Sequence, residues 1–189
     1  QNILRKRHRW HLRPSTKFAN TTISDGIIIS ISETLPAAEI DLDLSDYTCL
    51  PGLINTHVHF DANPEDAADY GIYARRTYAD NLALILRNAE TTLRTGFTTV
   101  RHAGAWFPDA LASAKAKIDA GHAIGPRIQS AGPYLTIPGG GGDLRFPEIP
   151  ADKIPTESQQ GIASTPKEFA ARAQSAIANG AEFLKVIAS

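Results

Sequence analysis

The chain has 189 residues, 42% of them hydrophobic and 21% charged, with a formal net charge of −1, the values of an ordinary globular domain. No apolar run approaches the roughly 18–20 residues of a membrane span, and no basic start leads into an apolar stretch and a small-residue cleavage site. The single cysteine, Cys49, excludes an internal disulfide and offers no zinc-finger spacing, so a cytoplasmic setting is expected.

The near-zero net charge hides an asymmetry. Arg5, Lys6, Arg7, Arg9, Arg13 and Lys17 supply six of the 19 basic residues with no acid among them, leaving a balance of −7 for the rest of the chain. Such a stretch can serve as a nucleic-acid arm, but nothing downstream reads as a nucleic-acid module, so a solvated terminus is expected and neither nucleic acid nor membrane is a partner. The absence of methionine fits a chain that is processed or cut from something longer.

Residues 1–24 show no clear period and read as irregular. "DGIIISIS" then reads as a turn into a β-branched strand, Ile27 to Ile31. "AEIDLDL" alternates apolar and acidic side chains as a half-exposed strand does. Together these predict part of a small antiparallel β-sandwich over residues 1–49.

From residue 50 strand and helix alternate. "CLPGLINTHV" predicts a first buried strand. "TYADNLALILRNAETTLRTG" predicts a helix with Leu82, Ile85, Leu86, Ala89 and Leu93 on one face and Gly96 at its C-terminal cap. "FTTVRHAG", "FPDALASAKAKIDAG" and "PRIQSAG" follow as strand, helix and strand. A polar, Gly/Pro-rich stretch over about 133–165 comes next, with the four glycines 139–142 expected to form a mobile loop. Thr165-Pro166-Lys167-Glu168 has the capping-box pattern that opens a helix, and "AEFLKVIAS" is the fourth strand. Parallel βαβ units follow from the alternation. Four of them over residues 50–189 suit the N-terminal half of a TIM-type (β/α)8 barrel, with a four-stranded doubly wound sheet as the alternative. "PGGGGD" lacks the spacing of a phosphate-binding loop.

Two anomalies carry the chemistry. His57 and His59 stand two apart at the C-terminal end of a strand, so both point to one face while Val58 points to the other. Two neutral imidazoles so placed at the mouth of a barrel can chelate a divalent ion. Lys185 interrupts "EFLKVIA", sharing a face with Phe183 and Ile187. An ammonium in a buried strand must find a partner or lose its charge, and an uncharged amine can take up carbon dioxide as a two-oxygen anionic ligand.

"LPGLINTHVHF", "GFTTVRHAG" and "GAEFLKVIAS" resemble, in order and spacing, the first, second and fourth barrel strands of the amidohydrolase superfamily, nearest its imidazolonepropionase-like and Xaa-Pro dipeptidase-like branch. The resemblance covers about residues 25–189. It implies a metal site, usually zinc, with His57 and His59 on the more buried ion and a carboxylated Lys185 bridging to a second. It implies hydrolysis of a carbon–nitrogen bond in a small amide, cyclic amide or dipeptide by a metal-activated water. The family's two further histidines and general-base aspartate are expected beyond Ser189. Relatives tend to read Val-Arg-Asp where this chain has Val100-Arg101-His102, and Gly-Gly-His-Gly where it has Gly139 to Gly142. His102 and Tyr134 are the candidate substrate contacts, His102 also being a possible partner behind the ligands. A mononuclear deaminase of the same fold is one alternative. An inactive N-terminal fragment that needs a complementing C-terminal half, or self-association, is the other.

Overall fold

The structure is a computed structural model that describes residues 2–8, 17–33 and 42–188. The basic positions Arg9 and Arg13, residues 38–41 of the alternating stretch and Ser189 lie outside the described residues. The chain divides into two compact units, residues 1–51 and 52–189.

The first unit is a four-stranded sheet of β1 (Asn2–His8), β2 (Lys17–Ser24), β3 (Ile27–Ser32) and β4 (Leu42–Thr48) in the order β3-β2-β1-β4. Strands β1 and β2 occupy a region where the sequence shows no period, because "NILRKRH" and "KFANTTIS" do not alternate cleanly. The β2–β3 hairpin turns at Asp25 and Gly26, both at positive φ (51° and 76°), as two-residue hairpin loops require. The sheet is mixed rather than wholly antiparallel. Strand β4 joins at the edge opposite β3 and runs parallel to β1. Ile27, Ile28, Ile29 and Ile31 stay exposed on the edge strand β3.

In the second unit, β5 (Leu53–Val58), β6 (Phe97–His102) and β7 (Arg127–Ser130) form a parallel sheet in that order. Helix α2 (Tyr78–Arg94) connects β5 to β6, preceded by the short α1 (Ile72–Arg75); α3 (Pro108–Asp119) connects β6 to β7. A parallel pair, β8 (Tyr134–Leu135) and β9 (Lys185–Val186), is joined through α4 (Pro166–Ala178). The Glu182 N–H donates to the Ser130 carbonyl (2.8 Å), which carries the ladder from β7 towards β9. This is the α/β strand–helix alternation of a partial barrel, and among the described residues the sheets do not close.

Local chemistry explains the helices. Thr77 and Thr165 cap α2 and α4, each in a reciprocal box with an acid three residues on, Asp80 and Glu168. Gly96, Gly121 and Gly180 take left-handed φ after α2, α3 and α4. Helix α3 has no side-chain cap of its own. Glu157, arriving from the long loop, accepts from the Asp109 and Ala110 N–H groups (2.7 and 3.2 Å) instead.

The core lies between the sheet and helices α2 and α3: Ile85, Ala89, Val100, Phe107, Ala110, Leu111, Ala114 and Ile128 are all at or below 2% exposure. Each large aliphatic or aromatic side chain buried there contributes about 1.5–3 kcal/mol. Two expectations change. Strand β5 is an open edge rather than a buried strand, with Leu53 and Ile54 at 50% and 66% exposure. The glycine-rich loop is packed: Gly140, Gly142, Asp143 and Leu144 are buried, and Asp143 accepts from the Gly139 N–H.

Candidate metal-binding active site

The site begins where β5 ends. Val58 packs against the helix-side core, so the alternation turns His57 and His59 to the other face. His57 is exposed and His59 half-buried, and their Nε2 atoms lie 3.1 Å apart. His59 Nδ1 is 3.1 Å from the Gly104 carbonyl and 2.8 Å from the Tyr134 hydroxyl. A carbonyl can only accept, so Nδ1 carries the proton and His59 Nε2 presents a lone pair towards His57.

The segment following these histidines is held from both sides. Asn88 of α2 donates to the Phe60 and Ala62 carbonyls (2.9 and 3.3 Å). His102, at the end of β6, is fully buried, and its Nε2 accepts from the Phe60 N–H (2.8 Å). Asp61, 1% exposed, accepts from the Trp106 N–H through Oδ2, while its Oδ1 lies 3.7 Å from His102 Nε2. Ligand atoms of His59, Asp61 and His102 fall within 4.8 Å of one another, a grouping able to hold a metal ion.

Tyr134 is buried on β8, and Lys185 is its register partner on β9. A Cβ placed on Gly104 would lie 3.1 Å from Lys185 Cγ, which brings the lysine stem to the residue whose carbonyl faces His59. Lys185 is half-buried, and among the described residues no ion pair involves it. Leu184 and Val186, on the opposite face of its strand, are exposed. Arg101 covers the Phe183 ring at 4.0 Å. Aromatic contacts run outward from His59 to Tyr134, then Trp106, then Tyr73 and Phe146.

The electrostatics disfavour the charged form of His59 and of His102. Burial pulls His59 below its ordinary value, assisted by the charges of His57 and Lys185 and opposed by Gly104 and Asp61. Burial likewise pushes His102 down to about 4 against the pull of Asp61. Desolvation holds the Tyr134 phenol far above its usual range, so its hydroxyl keeps its proton.

The donor set fits a divalent ion. Two nitrogens 3.1 Å apart fall within the about 2.9–3.4 Å that a pair of 2.0–2.1 Å zinc–nitrogen bonds spans at a right to tetrahedral angle. The Gly104 carbonyl on Nδ1 is the support that metal-binding histidines carry. The Asp61 and His102 side is less free, because the His102 Nε2 lone pair is already engaged by Phe60. Asp61 is the residue that reading the sequence missed. It continues the two-residue spacing of His57 and His59, and that was its signal.

A partial barrel of parallel strands thus carries an imidazole pair at the C-terminal end of its first strand. The sequence profile of the amidohydrolase family matches residues 48–189, and the chain belongs to that family. Comparison with curated protein sequences finds no match. Among solved structures, a Xaa-Pro dipeptidase with bound methionine in its active site superposes with a TM-score of 0.81 at 26% identity, over 98% of this chain and 46% of that one. A molinate hydrolase gives 0.77 at 22% identity, over 98% and 44%. The ochratoxinase of A. niger gives 0.72 at 21%, over 98% and 46%. The chain thus spans less than half the length of these structures. Among the described residues, no helix is long and apolar enough to cross a membrane.

Proposed function

We propose that this chain forms the metal-binding N-terminal part of a hydrolase that cleaves a carbon–nitrogen bond in a small amide, cyclic amide or dipeptide. The observation that carries the reading is the 3.1 Å approach of His57 and His59 through Nε2, with His59 Nδ1 tied to a carbonyl. A divalent ion held there, zinc in this reading, supplies Lewis acidity to a carbonyl and makes water nucleophilic near neutral pH. His57 and His59 hold the ion, and the Gly104 carbonyl keeps the His59 lone pair turned towards it. Asp61 and His102 fix the chain behind the pair through Trp106 and Phe60. Lys185 is the third ligand: its amine takes up carbon dioxide, releases one proton and becomes an anionic carbamate able to bridge two ions. Its place beside Tyr134, and the absence of an ion pair to it among the described residues, support this role.

A second reading has its own observation. Leu53, Ile54, Leu184 and Val186 are 39–66% exposed along the strands, so a complementing half or a second copy would be needed to cover them and complete the site. Zinc stoichiometry by mass spectrometry, set beside turnover of Xaa-Pro dipeptides and N-acyl amino acids, tests both. One or two zinc ions per chain, lost by more than about a hundredfold in affinity in His59→Asn, are expected. Zinc retained equally by a His57→Asn/His59→Asn chain overturns the assignment. Binding without turnover, with turnover restored by a complementing polypeptide, selects the second reading.

A further inference from the structure

We infer that Tyr134 is a positioning residue that fixes the orientation of the His59 ring, and that glycines 104, 142 and 161 are required because they seat it. The inference rests on the metal reading above for its functional meaning, but its geometry stands independently of any ion.

The Tyr134 hydroxyl lies 2.8 Å from His59 Nδ1, across 75 residues of sequence. Glycines crowd the tyrosine from three directions. A Cβ at Gly104 would stand 2.5 and 2.6 Å from ring atoms Cδ1 and Cε1. One at Gly142 would stand 2.6 Å from the Tyr134 Cβ, and one at Gly161 would stand 1.9 Å from its carbonyl oxygen. Gly104 also has φ +93°, a conformation that other residues adopt only with strain. Trp106 closes a further side in a T-shaped contact at 5.6 Å, and is itself held by donation from its Nε1 to the Gly142 carbonyl (3.0 Å). The glycine run at 139–142 therefore has a structural use: it lets the main chain lie against the tyrosine.

The chemistry of the contact follows from the donors. The Gly104 carbonyl can only accept and so sets the Nδ1–H tautomer of His59, while the Tyr134 hydroxyl, able to donate or accept, takes the same proton as a second acceptor and holds the plane of the ring. Without the tyrosine oxygen, the single longer bond to Gly104 holds the ring less firmly. The ring then swings more freely, and its Nε2 lone pair is less constantly directed towards an ion.

The test uses the full 189-residue chain with nitrogen-15 histidine labelling. In the metal-free, unmodified protein, long-range proton–nitrogen correlation should show His59 as the Nδ1–H tautomer; finding Nε2–H there overturns the inference without any variant. Tyr134→Phe keeps the ring and removes only the hydroxyl. It should shift and broaden the His59 ring-nitrogen signals as the ring loosens, with an about tenfold loss of zinc affinity while the Tm and far-ultraviolet spectrum hold. Gly142→Ala, which displaces the ring but keeps the hydroxyl, should move both readouts in the same direction. Unchanged His59 ring-nitrogen signals and unchanged zinc affinity in Tyr134→Phe would discard the role. An unmodified chain that binds no zinc discards the metal reading instead, and leaves the ring-nitrogen signals to decide on Tyr134.

Discussion

The two ends of β5 differ more than any other pair of neighbouring regions in the second unit. At its start Leu53 and Ile54 are exposed, on a strand that has no partner on its outer side among the described residues. Four residues on, Val58 enters the core, and Phe60, Asp61 and His102 are buried, His102 accepting from the Phe60 N–H and Asp61 from the Trp106 N–H. The site is therefore assembled by the loops at the strand ends and by the helices behind them. None of these contacts runs through the exposed start of the strand.

Substitutions at the two ends sharpen this contrast. The largest effect is expected at the core behind the mouth. Phe107, 2% exposed, should lose about 3–5 kcal/mol as Phe107→Ala, a fall in Tm of roughly 10 °C by calorimetry; a fall below 2 °C would show that the mouth packing contributes little. Next is the Asp66–Arg76 pair, bidentate at 2.6 and 2.8 Å with side chains 7% and 13% exposed. Burial alone would raise the Asp66 pKa, but the bonds from Arg76 and the Asn63 N–H outweigh it and hold it below 3.8. Its folded pKa is thus depressed. The stabilisation is fully present above the unfolded value of 3.8 and disappears as the pH drops through the folded one. Asp66→Asn should cost about 3 kcal/mol at pH 7, and urea midpoints of variant and parent should converge below pH 3.8. A constant gap across pH would contradict the pairing.

Smaller effects come from the helix start and the open strand. Thr165→Ala removes the α4 cap and should cost about 1 kcal/mol, recovered by Thr165→Ser. Ile54→Thr, on the exposed end, should change stability by less than about 0.5 kcal/mol while reducing self-association seen in sedimentation. A large destabilisation there would mean that the two ends of β5 are not energetically distinct after all.

Helices α2, α3 and α4 were legible because periodicity and capping are local: Thr77 and Asp80, or Thr165 and Glu168, lie three residues apart. His57 and His59 were legible for the same reason, since strand alternation acts over two residues. What was not legible depends on distant partners. Asp61 meets the Trp106 N–H across 45 positions, and Tyr134 meets His59 across 75. The use of Gly104, Gly142 and Gly161 appears only once the tyrosine is in place between them. The exposure of β5 was missed because an apolar run records what a strand suits, not which neighbours it has.

Glu157 fastens the start of α3 from 48 residues away. Any length added to the chain between Leu144 and Pro155 would have to bring that carboxylate back to the same two amides, or the helix would lose its side-chain stopper at that end. Room for variation in this loop is thus set by a tether at its far end. Phe146 stacks on Tyr70 and Ile149 is buried in the core, so a longer or shorter version should be tolerated at the exposed residues 150–153.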